Sequence, residues 1–440
     1  MRHLFLCLWL ILVSTAARCQ KDSILKPIAR TNLHFQTTYI YQYSARFKTP
    51  YSGTNSLSGD EEKQNSMTMT LFAGLRLWKG AEFYLNPELA GGSGLSGALG
   101  MGGSSNGETF RVGNPSPTLY LGRAFLVQTF ALGPDGEQTE DAANALNTFM
   151  PEHHIRLLIG KYSLGDLFDI NLVSNSPRTS FINWSLMNTG AWDYAANVRG
   201  YTLAAGAELS LNKYAVKLAA ASLPTIANGD QLSTDYKNNL ALNLEFDHSY
   251  KWKGKEGNVR LLLFSNHTHM GNYAIALENQ SGMNPPDVVS TRAEGRRKSG
   301  IALNADQEIT PEFSLFTRIG WNDGKNETWC FTEIDRTIAL GANLKGKHWN
   351  RADDELGIAC VSNGLSDEHR NYLANGGLGF ILGDGKLNYG HEIIGEMYYS
   401  CKVLKAGLWL TADYQFCGNP GYNRDRGPAN IASIRLHVEL

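Results

Sequence analysis

The sequence predicts an all-β fold, a transmembrane antiparallel up-and-down β-barrel of about 16 strands with short periplasmic turns and long extracellular loops. Three observations predict it. Apolar and polar residues alternate with period two along most of the chain, as in strands with one apolar and one wet face. The connections alternate between short turns and long polar segments. The wet faces carry charges, among them Arg76, Glu82, Glu208, Glu245, Arg260, Asp306, Arg318 and Asp413. Such faces cannot pack against a second sheet, but a single closed sheet can turn them to water and its apolar face to lipid. Closure also removes the exposed edges that would aggregate. Soluble all-β folds such as propellers share the alternation alone.

The chain begins MRHLFLCLWLILVSTAARCQ. Arg2, the apolar run Leu4–Val13, and Ala17 and Cys19 before Gln20 have the order of a secretory signal peptide over residues 1–19. The apolar run is too short to span a bilayer core of ~30 Å. Residues 20–440 then form one barrel domain, with 20–30 as a short periplasmic lead-in. A net charge of −2 gives no broad basic surface for nucleic acid. Cys330, Cys360, Cys401 and Cys417 are dispersed, with no CxxC and no companion His cluster. They read as small packing residues, and no metal or cofactor is expected.

The strands follow in order. In LHFQTTYIYQY (33–43), Leu33, Phe35, Tyr39 and Tyr41 share one face and His34, Gln36 and Gln42 the other. MTMTLFAGLRLW (67–78) runs to the turn Lys79-Gly80, after which Glu82, Tyr84, Asn86 and Glu88 share a polar face. The expected strands are 31–43, 66–78, 81–90, 117–130, 154–162, 201–211, 214–223 and 239–250. They continue as 257–267, 299–309, 313–321, 328–344, 354–362, 393–404, 407–416 and 430–440. Tyr39, Tyr41, Tyr43, Trp321, Tyr399, Tyr414 and Phe416, near strand ends, suit interfacial girdles. Short turns fall at 79–80, 212–213, 310–312 and 405–406. Long polar segments fall at 44–65, 91–116, 163–200, 268–298, 363–392 and 417–429. Residues 131–153 break the rule, being long where a short turn belongs. The Gly-rich 91–108 lacks a phosphate-loop Lys and reads as loop, as does 376–382, and RDRGP (424–428) reads as a loop brace.

One stretch, GWNDGKNETWCFTEIDR (320–336), resembles a glycosidase site, with carboxylates beside aromatics. On a barrel it divides instead. Asp323-Gly324 is a hairpin-turn signal. Trp329, Glu333 and Asp335 then fall on the inward face of strand 328–344, near the mouth.

The segments LFAGLRLWKGAEFYLNPELAGGSGLSG (71–97), RVGNPSPTLYLGRAF (111–125), GKYSLGDLFD (160–169), NSPRTSFINWSLMNTGAWDYAANVRGY (175–201), the 320–341 stretch, SDEHRNYLANGGLGFILGDGKLNYG (366–390) and DYQFCGNPGYNRDRGP (413–428) carry a resemblance. Together with PYSGTNSLSG (50–59), they resemble the carbohydrate-selective OprB-type porins of Gram-negative outer membranes. Leu440 departs from the aromatic terminus usual in such barrels, and 131–153 has no place in the pattern. The resemblance implies a 16-stranded passive channel for sugars in the outer membrane, with neither cofactor nor turnover. Its expected partners are carbohydrate solutes, outer-membrane lipid and lipopolysaccharide, and the barrel-assembly machinery during biogenesis, with a homo-oligomer left open.

A sugar passage needs charged and amide groups for hydroxyls and rings for the sugar faces, with binding weak enough for release. By strand parity the lumen should present Arg76 and Trp78; Glu82, Tyr84 and Asn86; Arg260; Arg318; Glu333 and Asp335; Glu396 and Tyr398; Trp409 and Asp413; and Arg435. The segment 170–200 is expected to fold into the barrel and to bring Arg178, Asn183, Trp184, Trp192, Asp193 and Tyr194. For each wall residue, a purely solvated role remains the competing reading. A weakly selective diffusion pore and a secreted sugar-binding or sugar-cleaving β protein are the alternative functions.

Overall fold

The computed structural model describes residues 30–109 and 115–440; the expected signal peptide and nearly all of the lead-in lie outside them. The described strands are β1 (Thr31–Ser44), β2 (Glu62–Trp78), β3 (Ala81–Gly92), β4 (Thr118–Ala131), β5 (Gly136–Gln138), β6 (Phe149–Pro151), β7 (His153–Tyr162), β8 (Thr202–Leu211) and β9 (Tyr214–Ala221). They continue as β10 (Leu240–Trp252), β11 (Lys255–Thr268), β12 (Arg296–Thr310), β13 (Phe313–Asn322), β14 (Arg336–Lys345), β15 (Glu355–Gly364), β16 (Glu392–Leu404), β17 (Leu408–Gly418) and β18 (Ala429–Glu439). All but β5 and β6 form one closed antiparallel barrel of 16 strands. β1 closes it on β18, in register from Gln36↔Glu439 to Ser44↔Ile431.

The alternation sets the two faces. Leu71, Leu75, Ile338, Leu340, Ile358 and Ile434 stay exposed on the outside, where lipid covers them, with Tyr39, Trp321, Tyr414 and Phe416 among the outward aromatics. The inward set is buried because loops fill the lumen. The periplasmic turns 79–80, 212–213, 253–254, 311–312 and 405–407 are tight: β10 and β11 meet at Lys253-Gly254, both with positive φ (50° and 78°), as a hairpin matched to strand twist requires. Cys330, Cys360, Cys401 and Cys417 are free, Cys330 and Cys417 being buried.

Three departures from the sequence reading matter. Residues 323–335 are a loop, so β14 starts at Arg336 and Asp323-Gly324 is no two-residue hairpin. The alternation of TWCFTEID mimics a strand, but its N–H groups are taken elsewhere. Those of Trp329 and Cys330 donate to Asp193 at 3.2 and 2.8 Å. Trp78 does not face the lumen. A register shift between Arg76 and Trp78 pairs Trp78 with Ala81, and Ala81 with Gln128, on the outward face. Its indole N–H donates to Gln128 at 2.8 Å, leaving the ring exposed at the periplasmic rim. Finally, residues 132–152 form the β5–β6 hairpin, outside the barrel sheet.

Candidate functional site: two cavities with a shared wall

Residues 163–201 fold into the barrel, where their backbone has no ladder to join. Buried N–H and C=O groups must find partners, and the inward side chains of the wall supply them. Arg318 donates to the carbonyls of Leu186 (2.7 Å), Ser174 (2.6 Å) and Asp169 (3.2 Å), and its Nε reaches the Asp169 carboxylate at 3.3 Å. Arg435 donates to the carbonyls of Pro177 and Ser180 at 2.8 and 2.6 Å. Glu396 accepts from the N–H groups of Ile182 and Asn183 at 2.6 and 3.0 Å. Asn183 in turn caps the short helix Trp184–Met187 by accepting from the Ser185 N–H.

A second extracellular loop, from Ser93 onward, lies against the first. Glu392 accepts from the N–H of Gly102, and Gln415 donates to the Ser105 carbonyl. The approach is close: a Cβ on Gly103 would meet that of Ser185 at 2.8 Å. The Gly-rich composition serves this packing.

The two loops meet the wall at Arg178. Its Nε donates to both oxygens of Glu108 at 3.0 Å, its Nη2 to Glu88 at 3.0 Å and its Nη1 to Thr70 at 3.0 Å. Glu88 also accepts from the Tyr201 hydroxyl at 3.1 Å and from Tyr120. Burial opposes the Arg178 charge, but Glu108 and Glu88 outweigh it and raise its pKa. Beside it Arg123 grips Asp166 through two 2.7 Å bonds, with its guanidinium 5.1 Å from the Tyr201 ring.

Around these groups lies a cavity of about 310 Å³, lined also by Asn188, Trp184, Tyr194 and Phe331. A second, of about 460 Å³, is lined by Glu355, Ser400, Trp409, Thr411 and His437. Asn175, Ser176 and Arg178 belong to both walls, so they stand between the two cavities.

Residues 54–440 match the family described as carbohydrate-selective porin, OprB family. The chain belongs to the OprB family. The fold agrees. The chain is similar to the high-pH structure of Pseudomonas putida OprB, with a TM-score of 0.71 at 16% identity over 93% of this chain and 94% of that one. It is also similar to the outer-membrane channel DcaP of Acinetobacter baumannii, with a TM-score of 0.51 at 9% identity over 96% and 99% of the two chains. Comparison with curated proteins by sequence gave no match. The protein is an OprB-family outer-membrane porin of Gram-negative type, a passive diffusion pore.

In this OprB-family barrel the expected path residues divide. Arg178 and Trp184 line the first cavity, with Trp184 stacked on Phe331 at 4.6 Å. Trp409 lines the second. Arg318, Arg435, Glu396 and Asn183 are spent on loop backbone, and Asp413 is buried beside Glu396 and Arg435. Arg260 is buried against Asp306 at 2.5 Å. Tyr398 donates to Glu355 and packs edge-on to Phe181 at 5.0 Å. Arg76, Glu82, Tyr84 and Asn86 face inward, but the segment 141–148 covers them.

The remaining expected residues lie inside the loop assembly. Trp192 is buried and donates to Asn243, and Trp329 is buried and donates to the Pro224 carbonyl. Asp193 accepts from the 329–330 backbone and from the Asn266 amide on β11. Glu333 accepts from the N–H groups of Ile381 and Leu382. Asp335 meets Lys298 at 3.3 Å and His369 at 2.9 Å. The expected inward strand positions for Trp329, Glu333 and Asp335 are therefore corrected.

The sequence reading did not single out Glu88, Glu108, Arg123, Asp166 and Tyr201 as site residues. Strand parity could have found Glu88, which shares the polar face with Glu82, Tyr84 and Asn86. Glu108, in the Gly-rich loop, carries no periodic signal.

Proposed function

We propose that this porin passes neutral carbohydrates from the first cavity, through a neck at Arg178, into the second cavity and on to the periplasm. The observation that carries the proposal is the composition of the first cavity. Each charge there faces an opposite one: Arg178 with Glu88 and Glu108, Arg123 with Asp166, and Arg199 with Asp230 just outside the cavity. Such a set offers donors and acceptors to hydroxyls without a strong field for an anion or a cation. The rings of Trp184, Tyr194, Tyr201 and Phe331 offer apolar faces to a sugar ring. Most of the anticipated wall residues act indirectly in this proposal. Arg318, Arg435 and Glu396 hold the loop that shapes the path.

Swelling of liposomes containing the purified porin tests selectivity. Neutral sugars are expected to enter faster than zwitterionic amino acids of equal size. Equal rates would reduce the protein to a general diffusion pore.

A further inference from the structure

The β4–β7 connection is far longer than its periplasmic counterparts, and its tip turns back onto the inward face of the wall. The Asn32 amide donates to Asp141 (2.7 Å) and to the carbonyls of Ala142 (3.1 Å) and Ala145 (3.0 Å). The Asn86 amide donates to Asn144 at 2.9 Å. Arg76 donates to Thr148 at 3.2 Å, and the Leu146 N–H donates to the Tyr84 hydroxyl at 3.1 Å. Asn32, Arg76, Tyr84 and Asn86 all lie on the inward face, as the register Asn32↔Gly74↔Tyr84 and Arg76↔Glu82 requires. The tip of the segment, residues 141–148, therefore lies against the inward face of the wall, while β5 stays exposed. Gly74 leaves the room for this, since a Cβ there would sit 2.2 Å from Asn32 Oδ1.

The inserted piece is braced within itself and anchored. Ala142 and Ala145 exchange both backbone bonds at 3.0 Å, and Thr139 and Thr148 bond through backbone and side chain. Leu146 is 1% exposed, packed in the cluster of Tyr84, Phe125 and Leu158. A single buried leucine in an apolar seat is what an anchor needs. At the tip, Ala143 lines the 310 Å³ cavity together with Gln36 and Phe72.

We propose that the hairpin 136–151 is an inner constriction. It floors the first cavity from the periplasmic side and diverts solutes sideways through the neck at Ser176 and Arg178. It thus sets the size limit of the pore jointly with the extracellular loops. The inference rests on the chain being a pore, not on sugar selectivity.

Ala143→Cys, treated in planar bilayers with a small anionic thiosulfonate reagent, tests the position of the tip. The parent chain is treated in parallel because Cys360 is exposed. Single-channel conductance should fall roughly two-fold in the variant, as expected for added bulk at a constriction, and stay constant in the parent. Modification with unchanged conductance, or failure of the introduced thiol to react, would overturn the proposal. Replacement of 137–150 by Asn-Gly should raise conductance and admit neutral polymers that the parent excludes. A folded, heat-modifiable deletion variant with parental conductance would also overturn it. If the deletion does not fold, the Ala143→Cys variant decides. Conductance is carried by ions, so a negative sugar-selectivity result leaves this test intact.

Discussion

Nε of Arg178 lies 3.0 Å from both carboxylate oxygens of Glu108, joining one inward loop to the other. The same guanidinium holds Glu88 on the wall at 3.0 Å. Arg178→Ala would leave two buried carboxylates at the neck without their cation. The neck should then favour cations, read as a shift of reversal potential under a salt gradient, and conductance should rise. Arg178→Lys should fall between, since an ammonium cannot span three partners as a planar fork does. An unchanged reversal potential in the Ala variant would mean that ions do not pass this point.

Arg318 anchors the loop 163–201 from the opposite wall. Arg318→Met removes the donor to the buried carbonyls of Leu186, Ser174 and Asp169. Each buried acceptor left unsatisfied costs about 1–3 kcal/mol. The barrel ladder is untouched, so heat-modifiable migration should persist while hydrogen exchange in 163–201 accelerates and the open-channel current becomes noisy. Parental exchange in that loop would show that Arg318 is not the anchor.

Two carboxylates of the loop 323–335 should behave in opposite ways. Burial opposes the Asp335 charge, but Lys298 and His369 outweigh it and hold its pKa below the usual range. Its contribution is present above the unfolded carboxylate pKa and is lost only as pH falls through the depressed value. Burial raises the Glu333 pKa against His369 and two backbone N–H groups. The folded state then binds that proton more tightly than the unfolded state. Stability from Glu333 is therefore highest in acid and declines as pH rises from about 4.3 through the raised value. At neutral pH, Asp335→Asn should cost roughly 3–5 kcal/mol locally, because it strands a buried lysine. Glu333→Gln should be neutral or stabilising. Hydrogen exchange over 323–335 and 365–391 reads both, and the reverse order would contradict this assignment.

The barrel was legible because lipid and water impose a period of two on every strand. Strand number, closure and the sidedness of turns and loops follow from that period. The site was less legible because parity gives a side chain's direction and not what meets it. Arg318 and Arg435 do point inward, yet they bind loop carbonyls that sequence cannot place. Trp78 shows how one bulge turns a residue to the other face. Trp329, Glu333 and Asp335 show a strand-like alternation in a loop, where the N–H groups of Trp329 and Cys330 go to the Asp193 side chain. Glu108, Arg123 and Asp166 acquire a role only when distant segments meet.

The central claim is that solutes cross between the two cavities at the neck shared by Asn175, Ser176 and Arg178. Ser176→Cys, labelled with a bulky thiol reagent after reconstitution, tests it most directly. Single-channel current and sugar-driven liposome swelling are recorded before and after labelling. Both should fall together, while the labelled parent keeps both. Complete labelling at position 176 with current and swelling unchanged would contradict the path described.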